Sequence, residues 1–238
     1  MAMKRQNSCT CGSQAALVSV ERPGAAAAQS TKFSVVVTEA VAGPFLRAFA
    51  DRGAHWLDAA QQDALGRLLF DERGAMRPES VGQSAVTLAH RCGFPVPGET
   101  RVLAARLDAV AADIPLSREI LGPVLSVYTV PDPAAGLARC REILALGGEG
   151  HTAAVHAADP DEIAPFATLR AGRILINTPA LFGGMGFSAE VDPSFQLGTG
   201  TWSGSICSDN VTPLHLINIK RIAHEVRPWR TVYDPVEL

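Results

Sequence analysis

Two side-chain types in this chain can do covalent or proton-transfer chemistry near neutral pH, five cysteines and six histidines. A thiolate attacks a carbonyl carbon, and an imidazole can hold or release the proton that such chemistry moves. The thiols are Cys9, Cys11, Cys92, Cys140 and Cys207. Cys9 and Cys11 stand too close in sequence for an ordinary zinc pair, and no matching ligand pair follows them, so no metal site is expected. Cys92 continues an apolar spacing through Val81, Ala85 and Leu88, and Cys140 shares a helical face with Leu137, Ile143 and Leu144. Both read as core thiols.

Among the histidines, His151 opens a short strand candidate after Gly147-Gly148-Glu149-Gly150. It is a candidate proton-transfer group, although a lone histidine is as commonly a structural hydrogen-bonding residue. His156, five residues on, falls on the opposite face of such a strand. Asn177 ends a strand candidate and could line a pocket, or its amide could close the turn that Thr178-Pro179 makes. Glu119 precedes a Gly-Pro turn and a strand, which also allows a plain turn-capping role.

The elements that must position these groups alternate. The β-branched run 34–38 reads as a strand, as do 101–106, 124–130, 151–156 and 173–177. Helical patterns occupy 39–52, 57–71, 80–92, 134–146 and a segment from Asp159 to near Gly172. At the start of that last segment, Asp159-Pro160-Asp161-Glu162 supplies a cap, a first-turn proline and an acid three residues on. Alternation of this kind predicts an α/β fold: a mostly parallel, twisted sheet covered by helices, with an extended C-terminal tail. Such sheets commonly carry their chemistry at the carboxyl ends of the strands. The expected divisions are an anomalous, flexible segment 1–33, a body 34–212, and a tail 213–238 suited to packing on a partner subunit.

Composition narrows the function classes. With 47% hydrophobic and 19% charged residues, the 238-residue chain can bury a sizeable core. A net charge of −3 gives no reason to expect nucleic acid or an anionic membrane as partner. No apolar run reaches the roughly 20 residues that span a bilayer. No secretory h-region follows Lys4-Arg5, and an odd cysteine count fits a reducing cytoplasm.

Five segments in order resemble the CoA-acylating branch of the aldehyde dehydrogenase superfamily, including the aldehyde half of bifunctional aldehyde-alcohol dehydrogenases. They are residues 81–85, 119–125, 147–152, 173–179 and 198–215, and the resemblance spans roughly 34–235. In that family a cysteine thiolate attacks an aldehyde, hydride passes to NAD, and coenzyme A takes the acyl group from the enzyme thioester. The resemblance implies Cys11 as nucleophile, within Cys11-Gly12-Ser13-Gln14, and His151 as a base assisting the cysteine or the CoA thiol. It implies Glu119 as a hydrogen-bonding partner of the nicotinamide ribose, with Leu121 standing where hydrolytic relatives carry an aromatic residue.

Asn177, at the carboxyl end of its strand candidate, could line the aldehyde pocket, and the resemblance places Cys207 in a loop near the active-site entrance, where a buried, inert thiol is the alternative. One departure stands out. The family's strand follows its cysteine closely, as 16–20 does here, yet 34–37 matches that strand better. Either an insertion follows the motif, or residues 1–33 are not homologous sequence. No dinucleotide-binding unit is found, so a small aldehyde as substrate would require a coenzyme domain from a partner or a longer gene product. The competing expectation is a non-catalytic truncated remnant, folding and oligomerising without turnover.

Overall fold

The computed structural model describes residues 17–21 and 33–228. Seven strands form one sheet: β1 (Leu17–Glu21), β2 (Phe33–Thr38), β3 (Ala54–Trp56), β4 (Val102–Arg106), β5 (Val124–Val130), β6 (Thr152–His156) and β7 (Arg173–Ile176), in spatial order β3-β4-β5-β2-β1-β6-β7. All neighbouring pairs are parallel except those of β1, which runs antiparallel to both β2 and β6. The helices are α1 (Glu39–Ala50), α2 (Ala59–Leu69), α3 (Ala85–Arg91), α4 (Pro133–Ala145), α5 (Pro160–Ile163) and α6 (Ala180–Gly184).

Strand alternation sorts the core onto two faces. Val35 and Val37 of β2, with Leu125 and Val127 of β5, pack under α1. Val36, Tyr128, Val130 and Val155 point the other way, against Cys140, Ile143 and Leu144 of α4. Leu103, Ala105 and Val124 continue that second face under α2 and α3. Ala154 and Leu175 meet α6 on the α1 side. The mostly parallel, helix-covered α/β sheet expected from the sequence is therefore present.

Three expected extents change. The helix read over 80–92 is only Ala85–Arg91, because the Ser84 side chain caps it by accepting from the Thr87 amide. Val81 consequently falls in a loop and is exposed rather than core-facing. The helix capped by Asp159 stops being α-helical at Ile163 and continues as a 3-10 turn, Ala164–Thr168. Pro165 has no N–H to extend the i→i−4 ladder. Finally, the sheet does not begin at Ser34: residues 17–21, inside the segment expected to be flexible, form β1 between β2 and β6. In the tail, Pro213–Leu216 forms a 3-10 turn and 217–228 carries no regular structure.

Candidate functional site

Three of the sequence candidates lie toward the amino-end edge of the parallel strands. Glu119 stands before β5, and His151 directly before β6. Cys207 lies in a loop whose neighbour Ser208 accepts a hydrogen bond from Arg173, the first residue of β7. These three candidates are therefore at the opposite ends of the strands from those at which such sheets commonly carry their chemistry.

Glu119 is half-buried on the wall of a cavity of about 370 Å³, together with Phe70, Met76, Arg118, Leu121 and Leu146. The segment is held from both sides. Arg118 donates from Nε to the Ala112 carbonyl (2.7 Å) and from Nη1 to the Gly74 carbonyl (3.0 Å). The Leu121 amide donates to the Met76 sulfur (3.2 Å).

Leu146, which ends α4, lines the same cavity, and the chain runs on through 147–150 to His151. The His151 Nδ1 lies 3.0 Å from the Gly148 carbonyl and 3.2 Å from that of Glu149. Carbonyls only accept, so this geometry selects the tautomer protonated on Nδ1 and places the ring's lone pair on Nε2. Gly150 adopts φ +83°, and a Cβ there would collide with the Thr199 carbonyl. Glycine at this position therefore lets the turn before His151 lie against Thr199 of the 196–211 loop.

That loop is built on β7. Buried Arg173 donates from Nε to the Asn210 amide oxygen (2.6 Å) and from NH2 to the carbonyls of Gly198 (3.0 Å) and Ser208 (3.2 Å). Asn210 in turn donates to the carbonyls of Gly184 and Asp192. The Gly198 amide reaches the Asp209 carbonyl and the Gly200 amide the Cys207 carbonyl, so Cys207 sits on a braced backbone. Its thiol is half-buried, not sealed in the core. Burial lowers the pKa of the Arg173 guanidinium, while the acidic groups of Asp209 and Cys207 act in the opposite sense.

Asn177 stands apart. It follows β7 at the carboxyl end, about 16 Å from His151 at some 3.3 Å per residue along the strands. Its amide is committed to backbone, with Oδ1 accepting from the Ala157 N–H (3.0 Å) and Nδ2 donating to the Ala157 carbonyl (2.9 Å). His156 is at this same end, and burial lowers its pKa. Of the other thiols, Cys140 is fully buried and its pKa is pushed up to about 12, which makes it inert. Cys92 caps the end of α3, and burial raises its pKa too. Cys11, the expected nucleophile, lies outside the described residues.

Sequence reasoning missed Arg173 and Asn210 as the pair that fixes the loop. An arginine opening an otherwise apolar strand, Arg173-Ile174-Leu175-Ile176, was the available signal, since a charge at a buried strand position needs partners.

No protein-family model matches the chain. Individual proteins do. The bifunctional aldehyde-alcohol dehydrogenase AdhE of Escherichia coli K12 is 34% identical over 196 residues, covering 80% of this chain and 22% of AdhE. The crystal structure of an acetylating aldehyde dehydrogenase from Geobacillus thermoglucosidasius superimposes with a TM-score of 0.77 at 32% identity, covering 82% of this chain and 43% of that one. A probable aldehyde dehydrogenase from Listeria monocytogenes EGD-e gives the same TM-score, 0.77, at 36% identity, covering 83% and 44%. The chain is thus homologous to a portion of the acylating aldehyde dehydrogenases, a family of oxidoreductases, and spans less than half the length of these relatives.

Proposed function

We propose that this chain is the thiol-bearing catalytic portion of a CoA-acylating aldehyde dehydrogenase, converting a short aldehyde to an acyl-CoA with NAD as hydride acceptor. The observation that carries the reading is that Glu119 and His151 both lie at the amino-end edge of the sheet, before β5 and β6, with Leu146 at the end of α4 lining the Glu119 cavity and leading on to His151. Bound cofactors would supply a hydride acceptor and an acyl-accepting thiol.

The chain's own residues do the rest. Cys11 Sγ bonds to the aldehyde carbon, and after hydride loss carries the acyl group as a thioester. His151, its Nδ1–H anchored on two carbonyls, takes up and returns thiol protons through Nε2. Glu119 accepts hydrogen bonds from the ribose hydroxyls of the nicotinamide, and its half-buried, braced position fits that task. Asn177 acts by fixing the turn after β7, and Cys207 borders the site on the loop beside His151. The remaining coenzyme-binding surface would come from the portion of the relatives that this chain does not span, and the tail 213–228, with Leu216, Ile222 and Val226 exposed, would pack in a homo-oligomer. The compartment we assign is the cytoplasm; no helix among the described residues is long and apolar enough to cross a membrane.

The test is NADH formation from acetaldehyde and CoA by the chain supplied with the coenzyme portion of a close relative. Turnover that disappears in Cys11→Ala supports the proposal, and turnover retained in that variant refutes it. A second reading, a folded remnant without turnover, has an observation of its own. Leu17, six residues after Cys11, pairs with Val37 and His156 at the carboxyl end of the sheet, whereas His151 is at the amino end. Six residues reach at most about 20 Å, and Leu17 stands level with His156, about 16 Å along the sheet from His151. Absence of NADH in the complemented enzyme, with the fold intact by circular dichroism, would establish this second reading.

A further inference from the structure

We propose that Cys207, Asp209 and His215 form a three-ligand site for a zinc-type divalent cation, clipping the start of the tail to the 196–211 loop. The Cys207 Sγ, one Asp209 carboxylate oxygen and one His215 ring nitrogen all lie within 4.8 Å of one another. Sulfur, oxygen and nitrogen donors with a fourth position open to water make up a ligand set that zinc accepts. The His215 Nε2 to Asp209 Oδ2 separation is 3.7 Å. That is long for a hydrogen bond, but it approaches the roughly 3.4 Å edge between N and O ligands of a tetrahedral zinc ion. The ligand set closes by small rotations of side chains at the surface, where Asp209 is 74% exposed and His215 31%.

The backbone beneath the ligands is already organised, as such sites require. Gly198 and Gly200 bond to the carbonyls of Asp209 and Cys207, and a Cβ at Gly198 would strike both. Arg173 holds Ser208 between them. His215 is set by the turn that Thr212 and Pro213 begin, and its Nδ1 accepts from the Thr212 amide (3.0 Å) with the Thr212 hydroxyl 3.2 Å away. On coordination through Nε2 the ring proton moves to Nδ1, so the Thr212 amide gives up its bond to that nitrogen and the ring turns to set Nδ1–H on the Thr212 hydroxyl. The cation then replaces the thiol proton of Cys207, and the thiolate and carboxylate balance its double charge. The spacing is unremarkable in sequence, one residue from Cys207 to Asp209 and five more to His215, which is why it carried no metal signal.

The experiment is titration of the full chain with Co²⁺, read as the thiolate-to-cobalt charge-transfer band in the near ultraviolet, followed by Zn²⁺ displacement. One equivalent should develop the band and Zn²⁺ should bleach it. The Cys9→Ser, Cys11→Ser double variant should keep it, and Cys207→Ser should abolish it. His215→Ala and Asp209→Asn should each weaken Co²⁺ affinity at least tenfold. No band at saturating Co²⁺, a band that survives Cys207→Ser, or unchanged affinity in both ligand variants overturns the proposal.

Discussion

Replacing Asn177 decides between a pocket residue and a turn-closing one. Asn177 has φ +52°, the left-handed region, and no other non-glycine residue described shares that feature. Its side chain exchanges two hydrogen bonds with Ala157, tying the turn after β7 to the end of β6. Asn177→Ala loses both bonds, at about 0.5–1 kcal/mol each for partly buried groups, and adds about 1 kcal/mol of left-handed strain. The sum is about 2–3 kcal/mol. Asn177→Gly loses the same bonds but removes the strain, so it should cost about 1 kcal/mol less than alanine, the reverse of the order at ordinary positions. For a chain of this size, 1 kcal/mol moves Tm by about 2–4 °C. Differential scanning calorimetry should then show alanine lowering Tm by about 4–12 °C, with glycine between alanine and the parent. Both variants melting within a degree of the parent, or glycine melting below alanine, would falsify the turn-closing argument.

Two further outcomes follow from charged groups. Arg173→Lys keeps the charge but cannot present the fork that reaches Asn210, Gly198 and Ser208. It should cost about 2–4 kcal/mol, seen in the urea midpoint, and should open the 196–211 loop to limited proteolysis. For His156, burial lowers the pKa in the folded chain, so folding favours its neutral form. Stability should therefore be full above the unfolded value near 6.5 and fall as pH drops below it. His156→Gln should flatten the urea midpoint between about pH 7 and pH 5; an unchanged pH slope would remove His156 as the cause.

Much of the fold was legible because period and punctuation agreed. Residues 124–130 are a continuous apolar-aromatic run behind Gly-Pro, and β5 occupies those residues. The α4 pattern of Cys140, Ile143 and Leu144 is the buried face observed. Legibility failed where local chemistry overrode pattern. Val81 keeps the apolar spacing of α3, but Ser84 satisfies the first helical amides and sets the start after it. β1 was obscured because a short strand between polar, alanine-rich stretches resembles a loop, while one of its two antiparallel partners, β6, lies more than a hundred residues away.

The candidate residues Glu119 and His151 sit at the strand ends opposite to those that general topology favours. The carboxyl-end rule rests on loops and helix N-termini that follow strands. Glu119 and His151 instead precede the runs that become β5 and β6, and that order was already visible in the sequence. Each comes after a stretch that fixes it in space: Arg118 pinned to two carbonyls, and 147–150 turning out of α4. A residue before a strand is aimed by the turn that precedes it, so its direction depends on glycine and carbonyl geometry instead of on the strand. Gly150 illustrates the dependence, since its backbone conformation and its contact with Thr199 exclude a side chain. The same logic separates Asn177, which follows β7 and is spent on closing the β6–β7 ends. On the proposed assignment a thiol that reacts beside His151 must reach the amino end of the sheet, whereas β1 runs antiparallel to the strands on either side of it and places Leu17 at their carboxyl ends.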